Sequence, residues 1–460
     1  MSDWVPTLGD SSKPRYIAIA EAIQEDLAEG RLLPAQRLPA QRQLARVLGL
    51  DFTTVARGYG EAQRRGLIES RVGEGTFVTS ASSQRYGAGA RAETGDFSMN
   101  MPPEPTDAAL WAKLGSGLEA IGWDLASALR YQRFGGTEAD KQAAIEWLGR
   151  HGVEPAQDRV FVVPGAHAAL LGAMTVLANR NRGTVLAETL TYPGIKAIAE
   201  QLGLELVGLP TDRHGPLPDA FEDACQRLRP SALYLNPTLS NPTTRTIPVE
   251  RRQELAAVAR SAGVSILEDD PYAALLDRAP PAFASVAPDL TWHVATLSKC
   301  LGAGLRVAFM VVPDARSGWD FAAAVRTANV MVSPVTAGLA TRWIQDGTAD
   351  GLLAAVRAET RARQELVKET LPEGLVTTDP AAFHLWMTLP TRWARSAFVS
   401  HMASSGLGVV ASDAFGTQDP LPEAVRICLG GPAPRSQVRT ALQFAAHALS
   451  ESPARASSFL

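Results

Sequence analysis

The sequence predicts two domains of unlike class. One is a small α+β head, a helix-turn-helix with a two-stranded wing; the other is a long α/β domain on a mostly parallel sheet. Three observations lead there. Residues 13–79 hold three stretches of helical periodicity, then an alternating segment turned by glycines. Residues 80–95, "SASSQRYGAGARAETG", are rich in Ser, Ala and Gly and poor in large apolar residues, the composition of a flexible linker. Across residues 96–450, short apolar strands alternate with amphipathic helices, the pattern of a sheet covered on both faces.

Bulk properties narrow the function classes. A chain of 460 residues exceeds one ordinary core, and its 46% hydrophobic and 20% charged content is that of a globular protein. A net charge of −4 argues against a chain basic throughout, while leaving room for a local basic surface. Cys225, Cys300 and Cys428 are too widely spaced for a disulfide framework or a zinc site, and the seven histidines show no ligand spacing. No metal is therefore expected. The start "MSDWVPTLGD" has no apolar signal core, and no apolar run reaches membrane-spanning length. A cytoplasmic protein without a membrane partner is expected.

In "RYIAIAEAIQEDLAEGRL", Tyr16, Ala20, Ile23 and Leu27 recur on one helical face. "LPAQRQLARVLGL" gives a second helix, with Pro39 beside its start and Gly49 as its stop. "DFTTVARGYGEAQRRGLI" gives a third, with Asp51 as N-cap and Gly66 as C-cap. Gly58 and Gly60 inside it each cost ~1 kcal/mol relative to alanine, and close packing against another helix is one reason for such residues. "LIESRVGEGTFVTS" alternates and turns at Gly73–Gly75, as a two-stranded wing does. Between Arg31 and Arg71 stand eight arginines against three acids. Such an excess supplies phosphate contacts, and hydroxyls and arginines near a helix start can reach base edges. A solvated arginine face on a plain helical bundle is the bland alternative, and the order of helices and wing weighs against it. Residues 13–79 resemble the winged helix-turn-helix of GntR-type regulators. That resemblance implies that Arg42, Thr53, Thr54 and Arg57 face double-stranded DNA, with Gly73 in the wing tip.

The strand candidates after the linker are "DRVFVVPG", "GTVLAET", "LELVGLP", "SALYLNP", "GVSILEDDP", "HVATLSK" and "RVAFMVVP". A smaller αβ domain is expected from about Val356 to Ala446, followed by a disordered tail. Motifs sit at the strand ends. "PGAHAAL" opens a helix whose free N–H groups suit a phosphate, although such turns are common. Tyr192 in "LTYPG" offers a ring that can stack on a flat ligand, or simply pack. Asn236 and Asn241 each precede a proline, which turn formation alone explains. "ILEDDPYAAL" puts three acids at the carboxyl end of a strand, where parallel-sheet proteins bind ligands, and burying one calls for a cationic partner. Lys299 follows the next strand, and Arg306 lies seven residues on. A lysine of lowered pKa can form a Schiff base, and arginine suits phosphate.

These parts, in this order across residues 96–446, resemble the fold type I transferases that depend on pyridoxal 5'-phosphate, the aminotransferase fold. The resemblance implies that Lys299 binds the cofactor aldehyde as the catalytic lysine and that Asp269 pairs with the ring nitrogen. It implies Tyr272 and Asn241 on the ring hydroxyl, Tyr192 on the ring face, and Ala166, His167, Thr296, Ser298 and Arg306 around the phosphate. Arg426 matches the arginine that takes a substrate carboxylate, and Tyr131 the tyrosine lent across a homodimer. Head and large domain together resemble the MocR subfamily of GntR regulators. That implies a cofactor-dependent transcription factor, sensing a small amino compound and binding an operator as a dimer. An active aminotransferase with a secondary DNA-binding head is the alternative.

Overall fold

The computed structural model describes residues 4–8, 14–28, 31–32, 36–65, 67–71, 75–78, 96–180 and 183–451. They fall in two compact units, one within Met1–Glu93 and one within Thr94–Leu460. The linker at 80–95, Gly66, the wing-tip Gly73 and the tail from 452 lie outside the described residues.

In the first unit, helix α1 (Arg15–Ala28) buries Ile19, Ala20 and Ile23, with Tyr16 and Leu27 half-buried on the same side. Helix α2 (Gln41–Leu48) buries Leu44 and Ala45 and stops at Gly49, whose N–H reaches the carbonyls of Ala45 and Arg46. Helix α3 (Phe52–Arg64) is capped by Asp51, whose side chain accepts from the N–H groups of Thr53 and Thr54. A Cβ on Gly58 would lie 3.0 Å from Ile19, so α3 crosses α1 where only glycine fits. Gly60 is different: it is exposed, nothing lies near it, and no packing in the structure requires it. Strands β1 (Ile68–Arg71) and β2 (Gly75–Val78) pair antiparallel as the wing, and Arg37 adds a bridge to Phe77.

The second unit is built on seven strands: β3 (Val160–Val163), β4 (Thr184–Glu188), β5 (Glu205–Leu209), β6 (Ala232–Leu235), β7 (Ser265–Asp269), β8 (Thr291–Thr296) and β9 (Ala308–Val311). Their order is β3-β9-β8-β7-β6-β4-β5. Neighbours are parallel except at β9, which runs antiparallel to both β3 and β8. The connection from β8 to β9 spans only Leu297–Val307, too short for a helical crossover, so the chain reverses. Helix α4 (Ala166–Arg180) covers one face of the sheet, in a core with Val163, Ala187, Leu267 and Val294. Helix α5 (Val249–Ala262) covers the other, with Leu186, Leu233 and Ile266.

The smaller αβ layer is a four-stranded antiparallel sheet: β10 (Val376–Thr377), β11 (His384–Thr388), β12 (Val410–Ala411) and β13 (Ala424–Cys428), in the order β10-β11-β13-β12. Its core contains Leu385, Phe398, Val425 and Leu442, and also Phe97, a residue far outside the span expected from the sequence. Among the described residues, no helix is long and apolar enough to cross a membrane.

Candidate functional site

Backbone alternation separates the three acids at the carboxyl end of β7, Glu268 and Asp269 within it and Asp270 just beyond. Glu268 is fully buried and accepts from the backbone N–H groups of Phe283 (2.8 Å) and Ala284 (3.0 Å), with His293 Nδ1 at 2.8 Å and Arg252 at 3.6 Å. Burial works to raise its carboxyl, but the charge and hydrogen bond of His293, with Arg252, hold it below the usual carboxylate range. Asp270 accepts from Thr238 Oγ1 (3.1 Å) and from the N–H of Ala273 (3.1 Å), and burial together with Glu268 raises it. Asp269 lies on the opposite face. Its Oδ2 accepts from Tyr234 Oη at 2.8 Å, while its Oδ1 is buried without a partner. Burial pushes this carboxyl up to about 7 against the Tyr234 hydrogen bond. Of the three acids, Asp269 keeps one buried carboxylate oxygen unused.

Lys299 sits in the short turn after β8, and its Nζ donates to the carbonyl of Asn100. Burial, with the Arg426 and Arg306 charges nearby, lowers its ammonium to about 8. Asn100 Nδ2 donates to Tyr272 Oη at 2.8 Å. Arg426, on β13, donates through Nη1 to Asn241 Oδ1 (2.8 Å) and through Nη2 to the Ser98 carbonyl (2.6 Å). Its guanidinium carbon stands 5.0 Å from the Phe415 ring centroid, and its Nε has no partner. Tyr192 is half-buried at the start of the Pro193–Gln201 helix, and burial, then Asp269, raises its phenol.

Register assembles the remaining residues. Thr296 pairs with Ala308 and Ala308 with Val163 across three neighbouring strands. Ser298, Arg306 and Gly165, just beyond those positions, therefore share one sheet edge. A Cβ on Gly165 would lie 3.0 Å from Arg306 Nη2, which sets the guanidinium against the turn into α4 and its free N–H groups at Ala166 and His167. Thr296 Oγ1 accepts from the Ser298 N–H at 3.2 Å, and both side chains are buried. Tyr131 is 85% exposed on this chain, with no hydrogen bond or ring contact to the pocket.

Several pocket residues carried no sequence signal strong enough to find them. Tyr234 is a lone hydroxyl in an otherwise apolar buried strand, a hint that its Oη needs a partner. Asn236 holds both the Asp269 carbonyl (2.6 Å) and the Asn241 N–H (2.8 Å), more than turn formation asks of it. His384, on β11, has Nε2 3.2 Å from the Ser240 carbonyl, and burial lowers its imidazole to about 3. Ser98 and Asn100 come from the segment before the large sheet.

In the head, Arg42 is exposed with its guanidinium 5.8 Å from the Phe52 ring, and Arg57 is exposed 4.5 Å from the Tyr16 ring. Both threonine hydroxyls turn inward on the cap: Thr53 Oγ1 donates to Asp51 Oδ1 and Thr54 Oγ1 to Oδ2 (2.7 Å). Their single hydroxyl hydrogens are thus spent, leaving the oxygen lone pairs as their remaining hydrogen-bonding capacity.

Residues 124–443 match the family model for aminotransferases of class I and II. The chain belongs to that family. Residues 15–78 match the model for bacterial regulatory proteins of the gntR family, giving the two-domain make-up of MocR-type regulators. The uncharacterized HTH-type transcriptional regulator YdeF of Bacillus subtilis is 29% identical over 93% of each chain. The probable rhizopine catabolism regulatory protein MocR of Rhizobium meliloti is 28% identical over 66% of each. Among solved structures, the α-aminoadipate aminotransferase LysN of Thermus thermophilus aligns with TM-score 0.69 at 21% identity, over 80% of this chain and 98% of its own.

Pyridoxal 5'-phosphate is the cofactor of this aminotransferase family, and the pocket fits it. The unpartnered Asp269 Oδ1 suits a protonated ring nitrogen, which would also return that carboxyl to its charged form. A buried amine with lowered affinity for its proton suits an aldehyde. The helix start under Arg306 suits a phosphate.

Proposed function

We propose that this protein is a cytoplasmic, DNA-binding transcriptional regulator whose α/β domain holds pyridoxal phosphate and senses a small amino compound. The observation that carries this reading is the match to YdeF over 93% of both chains, head and pocket together. When bound, the cofactor supplies an electrophilic aldehyde and an electron-withdrawing ring. Lys299 presents its amine to that aldehyde, and Asp269 holds the ring-nitrogen proton while Tyr234 orients its carboxylate. Tyr272 and Asn241 address the ring hydroxyl, and Tyr192 covers the ring face. Ala166, His167, Thr296, Ser298 and Arg306 take the phosphate, and Arg426 takes a carboxylate of the amino compound. In the head, Arg42, Thr53, Thr54 and Arg57 face an operator. The assembly is a symmetric homodimer in which the exposed Tyr131 completes the neighbouring pocket, and paired heads read paired half-sites.

Sensing requires the amino compound to bind one of two states better, so that its binding energy shifts the head's grip on DNA. A second reading, an aminotransferase that turns over, is equally compatible with the carboxylate-competent Arg426, which serves sensing and turnover alike. Two measurements on the cofactor-loaded protein separate them. A regulator changes its operator affinity with an amino acid and shows no sustained amino acid to keto acid conversion; multiple turnovers at ordinary enzymatic rates would overturn that reading.

A further inference from the structure

The segment Ser98–Asn100 runs along the pocket with Met99 exposed, and Ser98 and Asn100 occupy its working groups. The Ser98 carbonyl accepts from Arg426 Nη2 at 2.6 Å, and Cys428 Sγ reaches the same oxygen at 3.7 Å. The Asn100 carbonyl accepts from Lys299 Nζ, and Asn100 Nδ2 donates to Tyr272 Oη at 2.8 Å. Two residues of one strap, Ser98 and Asn100, therefore engage the three residues proposed to take the aldehyde, the ring hydroxyl and the ligand carboxylate. The strap is pinned at both ends. Cys428 N–H donates to the Phe97 carbonyl (2.8 Å) and Gly431 N–H to the Pro102 carbonyl (3.1 Å), so both pins lie at the end of β13. Phe97 is buried in the small-sheet core and stands two residues beyond the segment that leads to the head.

We propose that Ser98–Asn100 is a displaceable plug: an amino compound binds by taking Arg426 from the Ser98 carbonyl, and the release of that hydrogen bond frees the strap on which the head is tethered. The inference rests on the sensing reading and adds to it the element that moves. Arg426 Nε has no partner, so a carboxylate that takes the side-on fork of Nε and Nη2 competes with the Ser98 carbonyl for Nη2, and a charged acceptor makes the stronger hydrogen bond. Lys299, when its amine is engaged by the cofactor aldehyde, would no longer donate to the Asn100 carbonyl, leaving the strap held by Arg426 and Tyr272. Binding and strap release are then one equilibrium, and anything that weakens the plug favours the ligand-bound form.

Backbone amide exchange across residues 96–101 tests this on the full-length, cofactor-loaded protein, with the twenty common amino acids as probes. Exchange is expected to rise severalfold with any amino acid that perturbs the visible absorption band. Unchanged or slower exchange alongside a perturbed band would overturn the plug while leaving sensing intact, since it describes a lid closing on its ligand. If none of the twenty amino acids perturbs the band, the sensing reading falls, and the plug with it. The Asn100→Ala variant gives an independent sign. Removing the hydrogen bond to Tyr272 should tighten amino acid binding severalfold and move operator affinity towards the value of the ligand-bound wild type. Weaker or unchanged amino acid binding in that variant counts against the plug.

Discussion

Asp51 and Asp269 are both aspartates that accept hydrogen bonds, yet their carboxyls sit at opposite ends of the scale. Asp51, exposed at the start of α3, is held at about 2 by the hydroxyls and N–H groups of Thr53 and Thr54. Asp269, buried at the end of β7 with one oxygen unpartnered, is pushed up to about 7. The arginines divide likewise: Arg42 and Arg57 are exposed, whereas Arg426 is buried among carbonyl and amide oxygens. In the head, water does the solvating and charges are available to a polyanion in a salt-dependent way. In the pocket, desolvation sets proton affinities, and the unsatisfied groups define what has to bind.

The sharpest way to break that contrast is Lys299→Ala, expected to abolish the visible absorption band of bound cofactor. Retention of the band would remove Lys299 from the pocket chemistry. Next comes Asp269→Asn, with opposite effects on the two forms of the protein. Cofactor affinity should fall roughly a hundredfold to a few thousandfold, the scale of removing one partner from a buried charge pair. The cofactor-free variant should instead be more stable than wild type at pH 8. The folded carboxyl titrates near 7 and the unfolded one near 4, so the folded wild type binds the extra proton in that window. Its stability therefore falls as pH rises from about 4 to 7, and thermal unfolding across that range should show the variant's advantage vanish at the acid end.

Smaller effects are expected in the head. Arg42→Ala should weaken operator binding severalfold and flatten the log–log salt dependence by about 0.9 for each phosphate left without its cation. A gel-shift titration at two salt concentrations reads both, and an unchanged slope would take Arg42 off the DNA face. Smallest is the pair of glycine variants, compared by denaturant unfolding of the full chain. Gly58→Ala should cost ~1–3 kcal/mol, because its Cβ meets Ile19 at 3.0 Å. Gly60→Ala, with open space around it, should gain ~0.5–1 kcal/mol.

Local rules made much of the architecture legible. Helical spacing and the cap residues Gly49 and Asp51 located the head's helices, and apolar runs located the seven large-sheet strands. The reversal at β9 followed from connection length, a quantity visible in the sequence but not weighed there. What stayed hidden depends on distant partners. Asn100 meets Tyr272 across 172 positions, and Tyr234 meets Asp269 across 35, so neither pair leaves a periodic trace. The same holds for Gly58, whose reason is a side chain on another helix, and for Phe97, which joins a core built almost wholly from the last hundred residues. The resemblance supplied the role of Asp269, but its unpaired oxygen became visible only once the neighbours were placed.

The short reversal between β8 and β9 has a consequence for how this chain tolerates change in length. Lys299 and Arg306 lie on one stretch of backbone whose ends are fixed by pairing, Thr296 opposite Ala308. In the proposed pocket these are two grips on one molecule, set apart by a span that the sheet does not let drift. A single-residue insertion or deletion there cannot be absorbed by slippage without turning β9 inside out. Loop length is ordinarily cheap to vary on a protein surface. Here it acts as a ruler.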